Sequence, residues 1–210
     1  MLQTKLEMGI AERKEREKEE MQKLILDTAT KLFLEKGVEK TSMRNIAEAI
    51  EYSPGTIYLY FKDKSELFDA MHTQGFELFF QYLSKVMVIQ EPMDRLEQLG
   101  IQYLKFVIEN PAYYDMMFIL RTPMQSKRNE IEWNPGDKSH QILTSTVADC
   151  MRAGCFANQK PEVVSFMIWA QVHGLASMFI RERMKFYPEN KREELLFEAK
   201  AAFSEMIRKV

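Results

Sequence analysis

The chain has 210 residues, 46% hydrophobic and 29% charged, enough apolar material for one large domain or a small one beside a larger one. A net charge of −2 excludes a global basic field, and residues 1–74 alone hold 12 Lys+Arg against 14 Asp+Glu. Any nucleic-acid binding therefore rests on where charges sit, not on their sum.

Glycine (8) and proline (7) are scarce, and β-branched runs are few, which points to helices. No apolar run reads as approaching the roughly 18–20 residues of a membrane span. Residues 1–20 have no apolar core for a secretory signal. The expectation is a cytoplasmic chain with no membrane partner. Cys150 and Cys155 lie five apart. A disulfide between them would be local and contribute little, and the expected compartment is reducing. Together with the scattered His72, His140 and His173 they do not make a ligand set, so neither a metal nor a cofactor is expected.

Residues 12–23 are almost all charged, with many opposite-sign pairs three or four apart. Such a segment reads as a solvated helical extension, covering about 1–20. A basic arm using Arg13, Lys14, Arg16 or Lys18 is the other reading, and the interleaved glutamates weigh against it. From Leu24 an apolar stripe (Ile25, Ala29, Leu32, Phe33) has helical spacing and stops at Gly37. Thr41 or Ser42 offers an N-cap for a helix reaching about Ile50. Ser53 and Pro54 open another, closed by Phe61 and Lys62. A fourth starts at Lys64 or Ser65 and reaches about Val88. Pro92 opens the next, and Asn110-Pro111 breaks it. A short apolar helix spans 113–120, a loop 122–138, and helices 139–153, 161–183 and 188–208. The fold class is all-α, with about nine helices and no convincing strand.

The segment 41–64 carries the functional information. Two helices joined by a three- or four-residue turn can set the second in a major groove while the first buttresses it. Ala47 lets them approach, and Ile46, Ile57 and Phe61 supply a shared core. The outer face of the second presents Pro54, Gly55, Thr56, Leu59 and Tyr60. Gly55 admits backbone close to DNA, and Thr56 can donate to a base edge or meet a thymine methyl. The Tyr58 and Tyr60 hydroxyls suit phosphate oxygens. Arg44 can reach phosphate or guanine. Thr41, Ser42 and Ser53 stand at helix starts, and Lys64 stands at a helix N-terminus that itself favours an anion.

The runs Ser-Met-Arg-x-Ile-Ala over 42–47 and Ser-Pro-Gly-Thr-Ile-Tyr-x-Tyr-Phe-x-x-Lys-x-x-Leu over 53–67 resemble the DNA-binding domain of the TetR family of repressors, across about 24–70. The resemblance implies a three-helix DNA-binding domain over 21–70. It also implies a larger helical domain over 71–210 that dimerises and binds a small molecule, ligand release of a double-stranded DNA operator, and no enzymatic activity. One position departs: the family has glycine in the turn where this chain has Glu51. A positive φ there costs a non-glycine residue of order 1 kcal/mol, and the carboxylate lies near the expected phosphate path.

Trp169, His173 and Gly174 are similar to a Trp-His-Gly signature of one subgroup of the family, as is the Asn110-Pro111 break. Trp169 and His173 share a helix face. They could be core, or they could face a ligand cavity walled by Tyr103, Phe106, Tyr113, Met117 and Phe118, with His173 as a polar contact for a mostly hydrophobic effector. The apolar faces of the last two helices (Val164, Ile168, Leu175, Met178, Phe179; Leu196, Ala199, Phe203, Met206) are expected to form a homodimer's four-helix bundle. A second reading of the whole chain is a helical interaction or small-molecule-binding protein that has lost sequence-specific DNA binding. Glu51 and the acidic N-terminal balance are its support.

Overall fold

The computed structural model describes residues 2–119 and 135–208, with side chains in the first helix from residue 12 onward. Among these residues the chain is all-α, with no strand. The helices are α1 (Leu2–Lys36), α2 (Met43–Ala49), α3 (Pro54–Tyr58), α4 (Lys64–Ser84), α5 (Pro92–Glu109), α6 (Pro111–Tyr114), α7 (Pro135–Arg152), α8 (Pro161–Ile180) and α9 (Arg192–Ile207). A π-helical turn, Asp115–Ile119, continues α6, and a 3-10 turn, Glu189–Lys191, precedes α9. The chain divides into two compact units: residues 2–72 with 118 and 119, and residues 73–117 with 135–208.

In the first unit the charged extension and the helix after it are one continuous element. Residues 12–20 are all exposed, and burial begins in earnest at Ile25. The Arg13–Glu17 and Glu15–Lys18 pairs (3.2 and 3.6 Å) decorate the exposed stretch; surface helix pairs of this kind contribute only about 0.2–0.5 kcal/mol each. Gly37 ends α1 at φ 86°, a left-handed position that glycine takes without a Cβ penalty. Ile25, Ile46, Ala47 and Ile57 are fully buried, with Phe61 and Leu67. The Phe33 and Phe68 rings stack at 6.3 Å. Ile25, Phe33, Ile46, Ala47, Ile57 and Phe61 are among the residues expected to face inward; Leu67 and Phe68 join them.

Several helix ends differ from expectation, each for a local reason. α3 stops at Tyr58 because the chain tightens there, Tyr60 N–H donating to Ile57 O at 2.9 Å. α8 stops at Ile180 because Glu182 turns to φ 51°. That lets Arg183 N–H reach Met178 O (2.8 Å) and Glu182 N–H reach Phe179 O (3.1 Å), a paired C-cap. α4 ends at Ser84, not near Val88. The short helix expected over 113–120 starts instead at Pro111 and passes into the π-turn. The expected loop 122–138 lies outside the described residues as far as 134, and its last part is the first turn of α7.

In the second unit α5 is central, packed against α6, α7, α8 and α9. Its buried face includes Leu96, Leu99, Tyr103, Phe106 and Val107. Two cations are buried with it. Arg95 meets Asp149 on α7 and donates to Ile89 O at 2.9 Å. Lys200 on α9 is 4% exposed and donates to Glu97 O. Its stem lies on Gly100, where a Cβ would come within 2.7 Å of Lys200 Cε, so a larger residue there would displace the end of the lysine side chain. Arg208 closes the seam by bridging Asp94 and Glu97 (2.5 and 2.9 Å).

One composition-based expectation is overturned. α8 is 20 residues long with a mean hydropathy of 1.6, long and apolar enough to cross a membrane by length and composition, and only 22% of that window is buried within the chain. Its interspersed Ser165, Gln171, His173 and Ser177 hide the run from a search for uninterrupted apolar residues.

Burial depresses the Lys200 ammonium from 10.5 to about 8, against the opposing pull of Glu97. Between those values the unfolded chain binds a proton that the folded one does not, so stability from this group rises with pH across that window and is lost as pH falls through about 8. Denaturant melts of wild type and Lys200→Met from pH 7 to pH 10 should show wild type gaining on the variant as pH rises. Parallel curves would remove Lys200 as the titrating group.

Candidate functional site

The turn region of the first unit is built from caps. Ser42 accepts from Asn45 N–H (3.2 Å), and its own N–H donates to Asn45 Oδ1 (3.0 Å), a reciprocal capping box at the start of α2. Ser53 caps α3 by accepting from Thr56 N–H (3.2 Å), and its hydroxyl lies 3.0 Å from that of Thr56. Pro54 takes the first helical position, where its missing N–H has no cost. Between the two helices Tyr52 N–H reaches Ala47 O (2.9 Å) and Glu51 N–H reaches Glu48 O (3.2 Å), with Glu51 at φ 61°. Glu51 thus occupies the left-handed cap position that suits glycine.

The residues nominated for DNA divide into two groups. Outward are Arg44, Pro54, Gly55 and Tyr58, with Thr56 and Tyr60 partly covered and Ser42 and Ser53 exposed but engaged in caps. Arg44 is tied only to Glu48, at 3.0 Å on an exposed face; an i,i+4 pair of this kind is worth about 0.3–0.5 kcal/mol, so a phosphate can displace it. Leu59 is 83% exposed and Tyr52 is exposed beside the turn. Both belong to this outer surface, and Tyr52 was missed because it sits in the turn, outside any helical stripe.

Thr41 is inward and Lys64 half-buried, both engaged with the chain's own carbonyls. Thr41 is 1% exposed, and its hydroxyl lies within donating distance of Gly37 O (3.0 Å) and Leu32 O (3.3 Å). Thr41 and Ser42 are adjacent cap candidates and only one can cap; the other turns in and satisfies carbonyls at the end of α1. Lys64 donates to Val38 O (2.8 Å) and Thr41 O (3.3 Å). The α4 N-terminus is not open to an outside anion either. Asp63 Oδ1 accepts from Glu66 N–H (2.9 Å) and Glu66 Oε2 from Lys62 N–H (2.6 Å), so the chain's own carboxylates fill it.

In the second unit, Tyr103 on α5 and Trp169 and His173 on α8 come together, joined by Tyr114, which sequence reasoning missed. His173 Nδ1 lies 3.0 Å from Tyr103 OH and 3.3 Å from Tyr114 OH, and Tyr114 OH lies 3.3 Å from His173 O. Trp169 and His173 rings meet edge to face at 6.3 Å. Burial lowers the His173 pKa and raises that of Tyr103 well above the phenol range, with a hydrogen bond from Trp169 partly offsetting the latter. Burial pushes Tyr114 up to about 12. The cluster is therefore neutral at neutral pH, with both tyrosine hydroxyls set against His173 Nδ1. Phe106 packs against Phe79 and Tyr82 on α4 (4.9 and 5.6 Å), and Tyr103 meets the same Phe79 ring edge to face at 5.3 Å. Tyr113 and Met117 lie against Gly75, where a Cβ would approach them to 3.0 and 2.7 Å. Phe118 groups with the first unit.

The nominated interface residues also divide. Val164 and Leu196 are buried within the chain and supply no open face. Ile168, Leu175, Phe179, Ala199 and Phe203 are half-buried, and Met178 and Met206 are exposed. The open stripe of α8 is instead Val163, Phe166 (65%), Met167 (62%) and Met178.

Replacing Glu51 with glycine should remove the left-handed strain and stabilise the fold by about 1 kcal/mol, read as a higher midpoint in urea. An unchanged or lower midpoint would mean that the turn bears no strain.

Two family models match this chain: bacterial regulatory proteins of the tetR family over residues 25–71, and the tetracyclin repressor-like C-terminal domain over 96–203. A probable acrEF/envCD operon repressor of Escherichia coli (strain K12) is 25% identical over 169 residues, 74% of each chain. An HTH-type transcriptional regulator of Staphylococcus aureus (strain USA300) is 34% identical over 89 residues, 42% of this chain and 48% of that one. Among solved structures, the fatty acid degradation regulator FadR from Bacillus halodurans has a TM-score of 0.67 at 16% identity, covering 89% of this chain and 93% of its own. A tetR family regulator from Shewanella sp. PV-4 has 0.64 at 19%, covering 87% and 95%; at such identities these two speak to the fold alone. The relatives are DNA-binding regulators, not enzymes. The helix-turn-helix caps, the second helical unit and both family matches converge, and the chain belongs to the TetR family of transcriptional regulators.

Proposed function

We propose that the chain is a cytoplasmic repressor that binds a palindromic operator as a homodimer and is released by a small, mostly hydrophobic effector. The observation that carries the DNA half of this reading is the exposed edge of α3. Pro54, Gly55, Tyr58 and Leu59 face solvent on a helix whose start is fixed by Ser53 and whose turn is fixed by two backbone bonds. A rigid outer face of aromatic and small residues suits groove contacts flanked by phosphates. One five-residue helix reads few base pairs, so two are needed, with half-sites spaced by about 34–36 Å or slightly more. The effector reading draws support from the neutral Tyr103–His173–Tyr114 cluster, which offers hydrogen bonds without a charge to be matched. Release requires only that the effector favour the wrongly spaced state by a few kcal/mol.

The experiment is fluorescence-anisotropy binding to the upstream intergenic DNA of its own gene, against scrambled DNA, across a salt series. Tight, selective, salt-sensitive binding is expected, and binding no better than to scrambled DNA counts against an operator there. In the same assay Arg44→Ala should weaken binding to the specific site and flatten the log–log salt slope by about one. An unaltered slope would take Arg44 off the phosphate path.

The dimer is supported by the α8 stripe of Val163, Phe166, Met167 and Met178, exposed at helical spacing. Patches of this kind on soluble chains mark association sites. Phe166→Glu should convert the protein from dimer to monomer in analytical ultracentrifugation without lowering its helix content, because the side chain is already exposed in the single chain. A variant that still sediments as a dimer would place the interface elsewhere.

A further inference from the structure

We propose that Cys150 and Cys155 form an oxidant-responsive dithiol that closes a local disulfide across the C-terminal cap of α7. Both are free thiols, Cys150 buried and Cys155 partly exposed. The cap that ends α7 pairs them. Cys155 N–H donates to Cys150 O at 3.0 Å and Gly154 N–H donates to Met151 O at 3.0 Å, with Gly154 at φ 96°. This is the double-bonded helix stop in which the first and sixth residues are brought side by side. Covalent geometry sets the limit: one Cα–C=O arm, the 3.0 Å bond and one N–Cα arm cannot span more than about 7 Å between the two Cα atoms. That bound coincides with the upper limit of the Cα separation a cystine spans. Phe156 follows directly and is buried, which pins Cys155 in place.

The two sulfurs have different roles. Burial, with a contribution from the neighbouring Cys155, pushes the Cys150 thiol up to about 12. Cys150 is thus protonated, hidden and unreactive alone. Cys155 is the one a peroxide can reach. Its thiolate attacks the peroxide O–O bond, giving Cys155 sulfenic acid and releasing hydroxide, or alkoxide from an organic peroxide. The Cys150 sulfur then attacks the sulfenic sulfur. The S–S bond forms, the S–O bond breaks, and the hydroxyl leaves with the thiol proton as water. Two thiols are oxidised and one peroxide is reduced. The ring that closes is short, so the bond adds little stability and stays reducible by a dithiol, as a reversible mark requires.

The test uses the full-length protein, reduced, freed of reductant and treated with hydrogen peroxide, then alkylated and mapped by mass spectrometry. The expected product is an intramolecular Cys150–Cys155 cystine, seen as the loss of two hydrogens from the peptide carrying both and reversed by dithiothreitol. In C150S the Cys155 sulfenic acid should persist and be trapped by dimedone, whereas in wild type that adduct is lost. Peroxide driving wild-type Cys155 to sulfinic acid with Cys150 untouched, a disulfide formed only between chains, or no oxidation where free glutathione is consumed would each overturn the proposal. The wild-type map decides the matter alone if C150S does not fold.

Discussion

A helix of five residues closes too few i→i−4 bonds to repay its own nucleation, so α3 exists only because its surroundings hold it. Ser53 and Pro54 set its first turn, while Ile57 and Phe61 anchor it in the core. α2, with seven residues, depends likewise on the Ser42–Asn45 box. Beneath both, Thr41 and Lys64 tie down the loop between α1 and α2, the Thr41 hydroxyl lying on Gly37 O and the Lys64 amine donating to Val38 O and Thr41 O. A buried carbonyl without a donor costs about 1–3 kcal/mol, more than one surface phosphate contact is worth to a single chain. The polar residues of this motif therefore work in two layers, one holding the turn and one facing outward, and only the outer layer is available to a ligand.

The second unit follows the same rule with stronger groups. Arg95 is set against Asp149, Lys200 against Glu97, and Arg181 against Asp115 at 3.0 Å. In these three pairs a buried or half-buried charge meets a counter-charge, because an unpaired one would cost several kcal/mol. What remains toward the middle of α5 and α8 is polar but uncharged: a histidine kept neutral by burial, two tyrosines and a tryptophan. Such a cluster discriminates by hydrogen-bond geometry more than by charge.

Helix beginnings were readable because their chemistry is local. Pro54, Pro92, Pro111 and Pro161 each stand at the first turn of a helix. Pro135 does the same for α7 but sat in a polar stretch that read as loop. Helix ends were less legible. Gly37 and Gly154 announce theirs, but Glu51 and Glu182 take the same left-handed cap as non-glycine residues, and no composition rule singles out a glutamate for that role. The recognition motif was visible from order and spacing, yet the inward turn of Thr41 and Lys64 was not, since it depends on carbonyls that only the folded loop exposes. Tyr114 escaped because its partner, His173, lies 59 residues away, far beyond any periodic window.

α8 sets the last constraint. A surface helix of a single globular chain turns its polar side to water, and α8 turns an apolar stripe there instead. Val164, Ser165, Val172 and Ala176 are buried, whereas Val163, Phe166, Met167 and Met178 are open. One side of α8 is engaged by α5, α7 and α9, and the apolar surplus is a stripe on the other. A stripe asks for a surface of the same width and chemistry. A two-fold pairing supplies one without requiring a second sequence, because the same patch serves on both sides. That is also the arrangement a short recognition helix needs if it is to be presented twice, so the proposed dimer would answer both the open stripe of α8 and the brevity of α3.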